Sequence, residues 1–135
     1  MLVHESLTRD ILGAFFRVYN ALGFGFLESV YANAMFVELK RRGIACEREA
    51  QIDVYYENAL VGRYRTDLLV DDKVVLELKA SALLDASARP QLLNYLRATG
   101  LEVGLVPHFG PRPEFQRVLV SNRRSVLRAV DEGTI

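Results

Sequence analysis

Asp67, Glu77 and Lys79 are set into two short apolar strands joined by a tight turn, in the run RTDLLVDDKVVLELKA from Arg65 to Ala80. Strands this rich in Leu and Val are buried, and carboxylates are seldom buried without a partner. Glu77 and Lys79 lie at alternate positions, so both project from one face of their strand. Asp67 joins them in only one register. If the turn is Asp71-Asp72-Lys73, Val70 pairs with Val74 and Asp67 lies opposite Glu77. If it is only Asp71-Asp72, Asp67 faces away.

In the first register two carboxylates converge. Like charges about 4 Å apart repel by about 4 kcal/mol at an effective dielectric of about 20, so one carboxyl would hold a proton unless a cation intervenes. Mg2+ takes carboxylate oxygens together with waters and substrate phosphates. A lysine beside it would orient an attacking water or stabilise charge on a phosphate in the transition state. A plainer reading stands next to this one: Lys79 neutralises Glu77 or Asp67 in a local ion-pair network. Spacing alone leaves both open.

The elements that must position these residues follow from periodicity. Leu7, Ile11, Ala14, Phe15, Val18 and Leu22 recur at helical spacing over about 5–22. Gly23 and Gly25 break that helix. A second helix covers about 26–42 and ends in Lys40, Arg41, Arg42 and Gly43, a basic last turn followed by a glycine stop. Strands are expected over about 46–57, 60–70 and 73–80, with Glu57-Asn58 as a turn. Asp85 or Ser87 would cap a helix running to Thr99, with Pro90 in its first turn and Gly100 as its stop. Strands follow at Leu101–Phe109 and Phe115–Val120, separated by Gly110-Pro111-Arg112-Pro113, and a short helix over about 122–130. The order α-α-β-β-β-α-β-β makes an α/β or mixed α+β domain, with an antiparallel meander of three strands and a right-handed crossover if the next strand enters parallel.

At 135 residues, half apolar and a quarter charged, one domain over 1–135 with a sizeable core is expected. No run of about 18 apolar residues would span a membrane, and MLVHESLTRD lacks the basic and apolar regions of a signal peptide. Cys46 is the only cysteine, which excludes an internal disulfide or a Cys-based metal site and points to a reducing, cytoplasmic setting. Seventeen basic and seventeen acidic residues cancel, which counts against coating nucleic acid by bulk charge. Between Pro111 and Arg128, however, Arg112, Arg117, Arg123, Arg124 and Arg128 face a single acid, Glu114. That run is either a solvated basic tail or a phosphate-contacting edge.

The chain also resembles the PD-(D/E)XK nuclease superfamily, through Asp67 followed by Glu77-Leu78-Lys79 within a hairpin flanked by helices. Within that superfamily it is similar to the GxxExxY family. The similarity rests on Gly25-Phe26-Leu27-Glu28-Ser29-Val30-Tyr31, on Gly62 to Asp67, on Gln91 to Leu96 and on Val103-Gly104-Leu105, in the right order over about residues 10–120. The resemblance implies a restriction-endonuclease-like core, a mixed central sheet flanked by helices, with Asp67 and Glu77 as ligands to Mg2+ or Mn2+ and Lys79 as the catalytic lysine. It further implies Glu28 as a helical glutamate approaching the metal, directly or through water, and Gln91 as a glutamine near the site. Thr66 stands where the superfamily expects proline, and Ala88 where many GxxExxY members have histidine.

Other residues carry plainer readings. Glu28 alone would be a glutamate favoured at a helix N-terminus, and Gln91 and Tyr95 a packing pair on one helical face. His4 and His108 lack zinc-like partner spacing, Cys46 reads as an inert core residue, and Tyr55, Tyr56 and Tyr64 either stack on bases or pack. The leading expectation is a metal-dependent phosphodiesterase acting on nucleic acid, DNA first. Asp67, Glu77, Lys79 and Gln91 would be catalytic, Asp67, Glu77 and Glu28 metal-binding, and Arg112, Arg117, Arg123 and Arg124 would contact nucleic acid. A homodimer would bring two sites to two strands. The alternatives are an inactive nuclease-fold domain that binds nucleic acid or a protein partner, and a structural module whose ion triad is closed to water.

Overall fold

The computed structural model describes residues 3–83, 86–121 and 128–131. Its first element is α1, Glu5–Leu22, which buries Ile11, Ala14, Phe15 and Val18 on the face that the periodicity marks. The second is α2, Glu28–Arg41, which buries Tyr31, Met35 and Leu39 and ends in Lys40 and Arg41. It starts two residues later than expected, because Gly25, at φ 119°, and extended Leu27 hold the chain out of the helix.

The strands of the next segment are cut differently from the expectation. The run read as 46–57 is two strands, β1 (Cys46–Arg48) and β2 (Gln51–Tyr56), and the run read as 60–70 is also two, β3 (Ala59–Arg65) and β4 (Leu68–Val70). Pairing is nevertheless continuous in register. Arg48 lies opposite Leu68 and Gln51 opposite Arg65, and between them Glu49 N–H donates to Asp67 O and Thr66 N–H to Ala50 O, both at 2.9 Å. Glu49, at φ 53°, turns the chain at this point. One long hairpin is therefore bent. Its base, β1 and β4, joins the main sheet, while β2 and β3 leave as a separate two-stranded ribbon. The expected meander is replaced by this division.

After β5 (Val74–Leu76), α3 (Ala88–Thr99) carries the chain to β6 (Val103–Phe109), then β7 (Pro113–Ser121) and β8 (Arg128–Asp131). The six-stranded sheet runs β1-β4-β5-β6-β7-β8, with β5 and β6 parallel and the other neighbours antiparallel. Ser87 stands at the N-cap of α3, while Asp85 lies outside the described residues. Of the helix expected over about 122–130, residues 122–127 lie outside the described residues, and Arg128–Asp131 form a strand instead. Backbone pairing with β7 covers what would otherwise be a sheet edge, and this outweighs local helical preference.

Helices cover both faces of the sheet. Val70, Leu76, Leu105 and Phe109 pack under α1 and α2. Val75, Val106 and Val118 pack under Leu92, Tyr95 and Leu96 of α3, joined by Ile52 and Tyr64 of the ribbon. Strand β6 is buried along its whole length, as a central strand between two helical layers must be. Gly104 permits the close seat of α3, since a Cβ there would stand 2.7 Å from a Leu92 methyl carbon.

Candidate active site

The β4–β5 turn sets the register. Asp71 and Asp72 both take left-handed backbone, at φ 52° and 53°, which short carboxylates tolerate. Lys73 N–H donates to Val70 O at 2.9 Å. Val70 then pairs with Val74 and Leu68 with Leu76, the register that brings Asp67 level with Glu77. Beyond Leu68 and Leu76 the strands part. The Thr66-Asp67 side bends away toward the ribbon, while Glu77 N–H and Lys79 N–H follow β6, donating to Leu105 O and Pro107 O at 3.0 Å. Asp67 fills the opening and its Oδ2 accepts Leu78 N–H at 2.7 Å. Buried Thr66 donates its hydroxyl to Leu76 O at 2.9 Å.

Both carboxyls resist ionisation. Burial, followed by the charge of Asp67, pushes Glu77 up to about 7, against the pull of Lys79 and a hydrogen bond from the Asp67 amide. Burial raises Asp67 too. The Leu78 amide opposes that rise, Glu28 adds to it, Lys79 opposes it and Glu49 adds again. Lys79 therefore acts on both acids, and Glu28, exposed at the start of α2, acts on Asp67 from another element. Asp67, Glu77 and Lys79 are each only partly buried, so the triad is open to water, unlike a closed structural ion pair.

Two clefts flank the opening. One, of about 320 Å3, holds Asp67 with Thr66, Glu49, Arg48 and the Ser29–Asn33 stretch of α2. The other, of about 310 Å3, holds Glu77 with Gln91, Tyr95, Arg63 and Tyr64. Arg65 lines both. A larger cavity of about 390 Å3 lies between α1 and α2, where Glu38 is the only acidic wall residue among the described residues, whereas Asp67 and Glu77 line the two smaller clefts.

The sequence-derived residues fall unevenly on this frame. Asp67, Glu77 and Lys79 come together, Glu28 and Gln91 border them, and Tyr95 lines the Glu77 cleft with its hydroxyl raised by burial, then by the charges of Glu47 and Glu77. Arg117 departs from its expected role. It is 3% exposed, its Nη2 donates to Val3 O at 2.8 Å, and it is enclosed where no phosphate can pair with it. Arg112 is exposed in the β6–β7 turn, and Arg123 and Arg124 lie outside the described residues. The basic residues that line the clefts are instead Arg48, Arg63 and Arg65, outside the arginine-rich run from Pro111 to Arg128. The signal available was alternation: Arg63 and Arg65 share a strand face, four and two residues before Asp67. Thr66 was read only as a replaced proline, and its hydroxyl was missed as a brace of the Leu76 carbonyl.

Buried His108 directs Nε2 at Ser81 O at 3.0 Å, a structural contact. Burial pushes the Cys46 thiol up to about 11, as an inert residue requires. Among the described residues no cluster of three or more His, Cys, Asp and Glu side chains forms a metal cage. Two open carboxylates with Glu28 nearby still fit a hard cation that keeps most of its waters, and fit zinc poorly.

A family model described as the PD-(D/E)XK nuclease superfamily matches residues 5–118. Among solved structures, the crystal structure of SSO0001 is similar, with a TM-score of 0.56 and 19% sequence identity over 84% of this chain and 58% of that one. That likeness bears on fold alone, a restriction-endonuclease-like arrangement, and this chain spans little more than half the length of the protein it matches. No curated protein matches the chain significantly.

Proposed function

The chain belongs to the PD-(D/E)XK nuclease superfamily, and on that footing we propose that it is a Mg2+- or Mn2+-dependent phosphodiesterase acting on nucleic acid, DNA first. The observation that carries this reading is the open juxtaposition of Asp67 and Glu77, both held against ionisation, with Lys79 acting on both. Such a pair gains most from a divalent cation.

Asp67 and Glu77 would hold the ion, with Glu28 approaching from α2. The bound ion would polarise a phosphoryl oxygen and lower the pKa of a water. Lys79 would orient the water nucleophile or face the negative charge that grows on the phosphate, in a site already partly dry. The Gln91 amide would donate to the same phosphate or water. Arg48, Arg63 and Arg65 would grip flanking phosphates and fix the register of the strand. The ion pairs of Arg63 with Asp53 and of Arg65 with Glu49, at 3.2 and 3.6 Å, are largely exposed and exchange readily for phosphate contacts. Arg112 remains a more distant phosphate contact, and Arg123 and Arg124 belong to the same proposal.

A homodimer would let two such sites address two strands, and a cytoplasmic setting suits the lone cysteine. The GxxExxY family within the superfamily is the finer assignment that the Gly25–Tyr31 signature supports.

Calorimetric titration of Mn2+ into the parent and Asp67→Asn, with plasmid nicking on the same samples, tests the proposal. Metal binding and nicking by the parent alone are expected. Neither activity in the parent would overturn it. The exposed arginines that line both clefts also suit a second reading, an inactive nuclease fold that binds nucleic acid or a protein. Oligonucleotide binding without metal binding is its signature.

A further inference from the structure

The turn between α1 and α2 presents Phe24, Phe26 and Leu27 at 48%, 48% and 76% exposure. This is not loose backbone. Tyr31 beneath it is fully buried and stacked on Phe109, with ring centroids 4.1 Å apart. The Tyr31 hydroxyl donates to Gly23 O and accepts Phe26 N–H at 3.2 Å, while the Phe26 ring meets that of Tyr31 edge-on. Gly23 and Gly25, at φ 71° and 119°, make the bends that no side chain would favour. Three large apolar groups are thus exposed on a braced loop within four residues of sequence, and exposed apolar groups gathered in this way suit a contact site.

The loop leads directly into the acidic site. Leu27 precedes Glu28, whose charge acts on Asp67, and Ser29 lines the Asp67 cleft. We propose that Phe24, Phe26 and Leu27 form a stacking platform for a nucleobase next to the phosphate held at Asp67 and Glu77, an inference that rests on the nuclease reading above. Arg48 and Arg65 line the same cleft as Asp67 and supply the backbone contacts, so a strand seated there needs an apolar surface for its unstacked base. Aromatic and aliphatic faces serve any base in this way. A second copy of the chain is a poorer occupant. The three side chains expose roughly 300–400 Å2, whereas a stable dimer buries about 800 Å2 on each partner. A homodimer would use another surface.

The test compares a short single-stranded oligonucleotide with one of equal length carrying abasic positions, bound in Ca2+ and read by anisotropy. The parent should prefer the base-containing strand by about 5–100-fold. The double variant Phe24→Ser, Leu27→Ser should lose that preference and keep its affinity for the abasic strand and for Mn2+. Leu27→Trp places a single indole in a chain that has no tryptophan. Its fluorescence should be quenched by the base-containing strand only, which keeps the test valid should the double variant unfold.

Equal preference in parent and double variant, equal weakening toward both strands, or an unquenched indole would each overturn the platform. A double variant that turns a dimer into a monomer would reassign the loop to a subunit interface and overturn it as well. A parent that cleaves but shows no base preference overturns the platform alone. A parent that neither binds nor cleaves overturns the nuclease reading with it.

Discussion

Asp67 Oδ2 accepts the backbone N–H of Leu78 at 2.7 Å, and so clamps the acid of one strand onto the residue between Glu77 and Lys79 on the next. The bond does two tasks. It closes the gap where β4 and β5 part, and it holds the Asp67 carboxylate beside the strand that carries Glu77 and Lys79. Asp67→Asn keeps an acceptor for Leu78, so its unfolding free energy in urea should stay within about 1 kcal/mol of the parent while Mn2+ affinity is lost. Asp67→Ala leaves the amide without its partner and should cost about 1–3 kcal/mol more. Equal stability of Asp67→Ala and the parent would show that the clamp is dispensable.

Glu77 makes the metal-free protein sensitive to pH. Its folded pKa is raised from 4.5 to about 7, so the folded state binds this proton more tightly than the unfolded chain. The associated stability is complete below about pH 4.5 and is lost as pH rises through about 7. With chelator present, Glu77→Gln should therefore gain on the parent by on the order of 2–3 kcal/mol between those limits, somewhat less because the group is partly exposed. Thermal midpoints of both proteins from pH 4.5 to 8 check this, and a constant difference would refute the linkage. Saturating Mn2+ should restore the parent at neutral pH.

Lys79→Ala should keep the fold and bind Mn2+ within a few-fold of the parent, yet cleave at least about 100-fold more slowly. Single-turnover cleavage at saturating metal separates the two properties. Unimpaired cleavage would remove Lys79 from the chemistry and return it to the role of a neutralising partner.

Among the described residues, Arg65 is the one cation that lines both clefts. Arg65→Ala should weaken oligonucleotide binding to a similar extent for all sequences and lower the slope of log K against log salt by about one. Arg117→Ala should leave that slope unchanged and lower stability instead, because Arg117 is enclosed and bonded to Val3 O. A slope that follows Arg117 rather than Arg65 would relocate the nucleic-acid face.

Local chemistry made much of this legible. Ile11, Ala14, Phe15 and Val18 mark the buried face of α1, and the alternation of Glu77 and Lys79 places them on one side of their strand. The turn at Asp71-Asp72-Lys73 was the hinge of the site hypothesis, and the Val70–Val74 pairing answers it. The bend at Glu49 and Thr66 was hidden, since the residues on either side read as continuous strand and the backbone bonds that span the bend join positions seventeen or so apart. Strand β8 was hidden for a similar reason: its partner is β7, and pairing across strands leaves little trace in the pattern of either one.

The sequence by itself determined the helices, the strand-turn-strand run and the two acids and lysine within it, because these depend on side-chain periodicity over a few residues. Only the tertiary structure decided which charges meet. Burial between two helical layers raises Glu77, α2 brings Glu28 into range of Asp67, and the bent ribbon delivers Arg65 to the opening while Arg117 is enclosed. Electrostatic energy depends on distance and solvent exposure, and neither is a property of a residue's place along the chain.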